Sequence, residues 1–231
     1  MALAPLVGLA LALVAAAVMN GMRISQGHRG SDLLPAALAL ATLALLTRGL
    51  HLDGLVDLTD GLASYRGPQE ARAIMTAPDV GALGVAAVVL VLLVQAAAVA
   101  ACAHSGRGTA SLLLAVVTGR LAITAACVST PAAAPEGLGA LVAGTVQRGV
   151  TSVWAVLVAA TFAGYAVLDL DTTSSDPVRV LRTVVAVGLA LAVARVLRDH
   201  AVGRLGGLTG DVLGALSEVA TTVCLVVLST G

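Results

Sequence analysis

The sequence predicts an all-α integral membrane protein, a polytopic helical bundle with about six to seven transmembrane helices and an interfacial acidic helix. Composition supports this class, because 58% of the 231 residues are hydrophobic and 11% are charged, whereas soluble domains carry about 25% charged residues. The apolar residues also gather into runs of about 20, the length that a bilayer core requires. No long polar region or Gly/Ser linker divides the chain, so one domain over residues 1–231 is expected.

Seven apolar runs are candidate spans, at 3–22, 33–50, 81–103, 109–130, 150–168, 178–197 and 212–229. The first lacks the basic start of a cleaved signal peptide and is predicted to be retained. If all seven cross the membrane, the loops after the second, fourth and sixth share one side and hold seven arginines, against five on the other side. This excess of arginine predicts that the side with seven arginines faces the cytoplasm.

Charge and residue usage limit the classes of partner. Thirteen basic and thirteen acidic residues cancel, so the composition does not predict a basic surface for nucleic acid. All basic residues are arginine, which excludes covalent lysine chemistry. Cys102, Cys127 and Cys224 are isolated in apolar runs and are interpreted as core residues. The lipid bilayer is the one partner that composition alone predicts.

Three aspartates, Asp53, Asp57 and Asp60, lie in the polar interval between the second and third runs. On a helix, steps of four and three residues place them on one stripe. Like charges this close beside lipid favour a bound divalent metal or metal-phosphate. The alternative is a solvated face or pairing with nearby arginines. His51 is a candidate for a helix-entry residue, a phosphate contact or a proton-transfer group.

The whole interval 51–80 is too charged to cross lipid. We expect a helix that carries the aspartates at the membrane face, a break near Gly67 and Pro68, and a short amphipathic helix from Gln69 to Met75. The chain is therefore predicted to hold its acids at the membrane surface.

A second polar interruption runs over 195–211 and combines arginines with glycines. Guanidinium groups bind phosphate oxygens, and glycine lets backbone N–H groups approach them, so this segment predicts phosphate binding. A third acidic stretch is interpreted as a solvated loop with helix caps, at Asp169, Asp171 and Asp176.

The last run carries two acids, Asp211 and Glu218, whose spacing of seven places them on one helix face. Asp211 can be explained as a residue of the helix start, with Thr209 as the cap. Glu218 lies well inside an apolar helix, so we expect both acids to contribute to the metal or substrate site. Arg120 is likewise a charge inside a span, and one of the acids is its simplest partner.

Two motifs resemble those of a known family. The stretch from Gly49 to Gly61, GLHLDGLVDLTDG, resembles the H-L-D-G-L-A-D-T-x-D-G signature of cobalamin synthase, or adenosylcobinamide-GDP ribazoletransferase. The stretch from Gly206 to Ala215, GGLTGDVLGA, resembles its second signature, near which an acid at the position of Glu218 is usual. Val56 and Leu58 stand where the family usually has Ala and Thr.

The resemblance extends towards the N-terminus. Residues 4–12, APLVGLALA, are similar to an early F-P-L-V-G-L segment, and residues 79–84, DVGALG, stand where the family has a small glycine-containing motif. Family members usually begin further upstream, with a T-R-I-P-like segment that this sequence lacks. The resemblance nevertheless covers nearly the whole chain.

This resemblance implies the last stage of cobalamin biosynthesis. Adenosylcobinamide-GDP and α-ribazole, or its 5′-phosphate, would give adenosylcobalamin, or its 5′-phosphate, with release of GMP and a requirement for Mg²⁺. These small molecules are then the implied substrates, and the implied location is a bacterial or archaeal cytoplasmic membrane with the active site facing the cytoplasm. Whether copies associate as a homo-oligomer is left open.

Roles for the candidate residues follow from this chemistry. Asp53, Asp57 and Asp60 are predicted to hold Mg²⁺ and position the pyrophosphate, and Asp53, Asp57 or His51 to accept the proton of the nucleophile. The predicted substrate-binding residues are Arg198, Arg204, Gly207, Thr209, Asp211 and Glu218. Two alternatives remain. A CDP-alcohol phosphotransferase would need an Ala-Arg pair that is missing after Asp53 and Gly54, and an ion-coupled transporter would use the buried acids to bind its ion.

Overall fold

Ten α-helices and no strand occur in residues 1–27, 30–168 and 177–230, the part of the chain that the computed structural model describes. The predicted loop at Asp169, Asp171 and Asp176 lies outside these residues. In chain order the helices are α1 Ala4–Ser25, α2 Leu33–Leu46, α3 Leu50–Ala63, α4 Pro68–Met75, α5 Ala82–His104, α6 Gly108–Ala126, α7 Leu138–Val142, α8 Arg148–Leu168, α9 Pro177–Leu205 and α10 Gly210–Ser229.

Five of the described helices are long and apolar enough to cross a membrane, namely α1, α5, α6, α9 and α10. The pair α2 and α3 meets the same measure only when both helices are counted together, which gives up to six spans. The apolar stretch Arg148–Phe162 of α8 is shorter than these spans. Six of the seven predicted apolar runs each coincide with one helix, and the run over 33–50 covers α2 and the first residue of α3. The predicted polytopic α-helical membrane bundle is confirmed.

The predicted second span is divided by a sharp bend. Its prediction as one helix over 33–50 is wrong in extent, because α2 ends at Leu46 and α3 begins at Leu50, bent by 87°. Arg48 and Gly49 between them adopt left-handed conformations, with φ of 53° and 72°. Glycine takes this conformation without penalty and commonly ends a helix there. The bend turns the acidic helix α3 away from the direction of α2, and its interfacial position stays a prediction.

The polar stretch at 195–211 is also more regular than predicted. Helix α9 continues through Arg195 and Arg198 to Leu205, and only 206–209 connect it to α10. The predicted break at Gly67, followed by a short helix, is confirmed by α4, which begins at Pro68. Thus the arginines of α9 have fixed helical positions.

The central helices α6 and α10 form the packed interior. Leu112, Leu121, Leu216 and Leu225 are at most 1% exposed. The peripheral helices instead expose large apolar side chains, which suits lipid contact because bilayer tails are as apolar as leucine.

Contacts between helix ends define two ends of the bundle. At the first, which we call the opposite end, Arg23 in the last turn of α1 donates to the Ala103 carbonyl of α5 at 2.8 Å and to Asp32 before α2 at 2.8 Å. At the second, which we call the acidic end, the loop after α6 meets the loop before α10. There the Ala133 N–H donates to the Leu208 carbonyl at 3.1 Å.

Helices α3 and α4 belong to the acidic end, since Arg72 of α4 donates to the Leu205 carbonyl and Gly54 of α3 contacts Asp211. The segments after the second, fourth and sixth predicted spans therefore meet at one end, as expected. The side of the membrane that this end faces stays a prediction.

Candidate active site

The acidic helix α3 is held against the start of α10 by close backbone contact. A Cβ atom on Gly54 would lie 2.7 Å from the Asp211 carbonyl oxygen, and one on Gly214 would lie 3.1 Å from the Cα atom of His51. The contact at Gly54 is too close for any side chain. These glycines bring Asp211 beside the aspartates of α3, so the two segments that carry the predicted signatures meet here.

Asp53, Asp57 and Asp211, which we call the acidic cluster, crowd like charges together. Asp53 is exposed and the other two are half-buried. The pKa of Asp57 is raised to about 6. Partial burial is the largest cause, and repulsion from Asp53, Asp211 and Asp60 adds to it. None of the three carboxylates makes an ion pair within the described residues. A cation from outside the protein would relieve this repulsion.

The chemistry of the cluster fits Mg²⁺, which prefers oxygen ligands. Among the described residues, no group of three His, Cys, Asp or Glu side chains forms a ready metal site. The predicted metal set of Asp53, Asp57 and Asp60 therefore stays a prediction. Because Mg²⁺ usually binds one or two carboxylates plus substrate phosphates rather than an all-protein cage, this cluster suits a metal that is shared with a phosphate substrate.

Asp60 has a structural task that spacing did not reveal. Its two carboxylate oxygens accept the backbone N–H groups of Gly81 at 2.8 Å and Gly84 at 2.9 Å. These residues begin α5, so the carboxylate satisfies leading N–H groups and complements the helix dipole, for about 1 kcal/mol. Asp60 thus anchors the end of α3 to the start of α5.

His51 turns into the bundle interior. Arg120 of α6, 7% exposed, donates to His51 Nε2 and to Ser217 Oγ, the latter at 2.9 Å. Because arginine only donates, Nε2 is an acceptor and the ring proton of a neutral imidazole lies on Nδ1. Nδ1 is buried without a hydrogen-bond partner among the described residues. The hydrogen-bond partners of Arg120 are thus a histidine and a hydroxyl, rather than the acid that simple pairing predicts.

Glu218 lies in the interior, about two turns along α10 from Asp211. It is half-buried and accepts a hydrogen bond from Gln95 Nε2 at 3.0 Å, while Gln95 is 2% exposed. Glu218, Gln95 and Arg120 line one narrow cavity, whose lining does not include the acidic cluster. The structure therefore separates the two acids that share a face in the sequence.

The start of α10 lines a cavity of about 510 Å³ together with α4 and the loop before α7. Thr209 and Asp211 contribute from α10, and Arg72 from α4. Thr209 Oγ1 accepts the Val212 N–H at 3.2 Å, so its predicted capping role is confirmed. Gly207 is buried, and a Cβ atom there would lie 2.4 Å from the Ala133 nitrogen, which makes it a packing residue of the loop.

The two arginines predicted to bind phosphate do not converge. Arg204 donates to the Arg66 carbonyl at 3.3 Å, beside α4. Arg198 lines a separate cavity between α6, α8 and α9 and bonds Asp199 at 2.5 Å. Sequence reasoning missed Arg72, which shares a cavity with Asp211. The signal for it was its place on the amphipathic helix that follows the aspartates.

Comparison with known proteins gives this geometry a family. The family model described as cobalamin-5-phosphate synthase matches residues 1–229. The chain belongs to the cobalamin-5-phosphate synthase family. The resemblance found in the two signatures is thereby confirmed, and membership of the cobalamin-5-phosphate synthase family gives no support to the phosphotransferase or transporter alternatives.

Three relatives of this chain carry the name adenosylcobinamide-GDP ribazoletransferase. The protein of Frankia casuarinae is 45% identical over 99% of this chain and 84% of its own length. The proteins of Corynebacterium efficiens and Nocardioides sp. are 33% and 36% identical, over 98% and 97% of this chain and 79% and 84% of their lengths. No solved structure matches the chain.

Proposed function

We propose that this chain joins adenosylcobinamide-GDP to α-ribazole, or to its 5′-phosphate, in the final assembly of the cobalamin nucleotide loop. Family membership and the named relatives support this reaction. One observation indicates which residues would catalyse the reaction. Helices α3 and α10 cross at Gly54, and this crossing brings the acids of both signature segments into one cluster.

The reaction is a transfer of a substituted phosphate group. A ribose hydroxyl attacks the phosphorus that bears the cobinamide, the bond from this phosphorus to the bridging oxygen breaks, and GMP leaves. Asp53, Asp57 and Asp211 would hold Mg²⁺, which neutralises charge on the pyrophosphate oxygens when it is bound. Arg72 and Arg204, at the edge of the same end, would bind the remaining phosphate oxygens.

The proton of the attacking hydroxyl needs an acceptor at the acidic cluster. We assign Asp57 or Asp53 to this role, because their carboxylates lie at the cluster where the reacting phosphate would bind. His51 Nε2 already accepts from Arg120, so we assign His51 to positioning α3 against α6. Asp60 likewise positions the helix through its bonds to Gly81 and Gly84. Glu218 would support Arg120 from the interior.

The test is release of GMP from adenosylcobinamide-GDP by the chain in proteoliposomes. Release should require α-ribazole or its 5′-phosphate and should stop with EDTA, then return with added Mg²⁺. Supply of both substrates from outside vesicles of known protein orientation tests the proposed cytoplasmic face of a cell membrane. Release that persists in EDTA would contradict the metal assignment, and absence of release under all these conditions would contradict the reaction.

A further inference from the structure

A basic cavity lies between α6, α8 and α9, apart from the acidic cluster. Its volume is about 660 Å³, and three arginines line it, Arg148, Arg195 and Arg198. Four hydroxyl-bearing residues line it as well, Ser129, Thr130, Thr151 and Ser152. Arginine forks and hydroxyl donors together are the groups that bind phosphate oxygens in proteins.

The charges of this cavity are unbalanced. Arg195 and Arg198 both contact Asp199, at 3.7 Å and 2.5 Å. Within the described ranges, no ion-pair partner accompanies Arg148. Three guanidinium groups thus face one carboxylate, and the remaining positive charge favours an anion.

Thr151 supplies a second, independent observation. Its Oγ1 atom is buried and has no hydrogen-bond partner among the residues described. Buried polar atoms are almost always satisfied, so this hydroxyl calls for a partner that the protein itself does not provide. Because Oγ1 is shielded from solvent in this rotamer, rotation of the Thr151 side chain towards the cavity would let it donate a hydrogen bond to a phosphate oxygen there.

The shape and depth of the cavity restrict the ligand further. Apolar residues form the rest of its lining, among them Ala122, Leu191 and Leu216. Arg195 and Arg198 lie about 30 Å along α9 from its start, close to the thickness of the hydrocarbon core. A ligand there would meet charge at its phosphate and apolar surface beside it.

We propose that the cavity lined by Arg148, Arg195, Arg198 and Thr151 is a second phosphate-binding site, for a phosphate ester that carries an apolar or ring-shaped group. A free nucleotide and the head group of an anionic lipid both present this chemistry. The site is distinct from the acidic cluster, and its occupancy does not depend on the proposed transfer reaction.

The experiment measures binding by the purified full-length chain in zwitterionic detergent with EDTA, which removes metal-bridged binding at the acidic cluster. One arm titrates GMP, and the other measures retention of phosphatidylglycerol against phosphatidylcholine by native mass spectrometry. Arg148→Gln should weaken binding about tenfold or more, the effect of losing a charged hydrogen bond, and Arg195→Gln and Thr151→Val should weaken it less.

Arg66→Gln is the matched control, because Arg66 is an exposed arginine at the same end whose ion pair is with Glu70. It should bind both probes like the wild type. A loss confined to GMP assigns the site to free nucleotides, a loss confined to phosphatidylglycerol assigns it to lipid, and a loss of both assigns it to the phosphate group alone. The proposal is overturned if the wild type binds neither probe, or if the three cavity variants bind as Arg66→Gln does.

Discussion

The two ends of the bundle differ in whether their charged side chains have partners within the protein. At the opposite end, Arg23 pairs with Asp32 at 2.8 Å, and Arg107 donates to the Leu228 carbonyl at 3.3 Å. At the acidic end, the carboxylates of Asp53, Asp57 and Asp211 crowd together without an ion pair in the described part of the chain. At the first end, Arg23 and Arg107 thus have hydrogen-bond partners within the protein. At the second end, this lack of ion pairs within the described residues is why we propose that a cation and the chemistry belong there.

The largest effect on activity is expected at Asp57 of the acidic cluster. Asp57→Asn keeps the shape of the side chain but removes its charge, so GMP release should fall about a hundredfold or more. Thermal stability should stay the same or rise, because the substitution removes a repelling charge from the cluster. Activity assays and thermal unfolding in the same detergent check both outcomes. Unchanged GMP release would contradict the assignment of the metal and base to this cluster.

The second largest effect is expected where glycine permits the cluster to assemble. Gly54→Ala would place a Cβ atom 2.7 Å from the Asp211 carbonyl oxygen, which forces α3 away from α10 and should destabilise the fold by about 1–3 kcal/mol. GMP release should fall at least tenfold as the acids separate. Gly21→Ala in α1 is the control, since its Cβ atom would meet nothing within 4 Å. Equal activity of the two variants would contradict the proposed crossing.

At the opposite end the expected effect is on stability rather than activity. Asp32→Asn leaves Arg23, a partly buried arginine, without its ion pair, at a cost of about 1–2 kcal/mol. GMP release below the unfolding temperature should match the wild type. A double-mutant cycle with Arg23→Gln measures the coupling of the pair. Loss of activity in folded Asp32→Asn would show that the two ends are not separate.

The smallest effect distinguishes the two roles of Asp60. Asp60→Asn retains an oxygen that can accept an N–H group at the start of α5, so it should cost less than about 1 kcal/mol and keep most activity. Asp60→Ala removes both acceptors and should cost about 1 kcal/mol or more. Thermal unfolding with a parallel GMP assay separates these. If Asn abolishes GMP release as fully as Ala does, Asp60 binds the metal after all.

The sequence predicted where the helices lie along the chain better than how successive helices are oriented. Hydropathy and the pair Gly67 and Pro68 located α3 and α4 closely, because both signals are local. Hydropathy alone did not reveal the bend at Arg48 and Gly49, because the predicted apolar run over 33–50 continues through both residues. Bonds from Asp60 to Gly81 and Gly84 join residues more than 20 positions apart, so spacing could not show them.

The arginines of α9 show a different limit. The sequence predicts the same phosphate-binding role for Arg198 and Arg204, because both lie in the polar segment over 195–211. On the continuous helix observed, a separation of six residues turns them about 120° apart, so Arg198 lines the cavity beside α6 and α8 while Arg204 donates to the Arg66 carbonyl beside α4. Helix continuity, rather than residue type, decided which of them accompanies the aspartates.

The short helix α2 has a consequence for the bilayer itself. Its 14 residues extend about 21 Å, roughly 9 Å less than an average hydrocarbon core. If α2 crosses the membrane without α3, local thinning of the lipid would relieve this hydrophobic mismatch and lower the water boundary beside α3. A bulky, water-soluble corrinoid and its nucleotide partner could then reach carboxylates set below the average membrane surface without entering hydrocarbon.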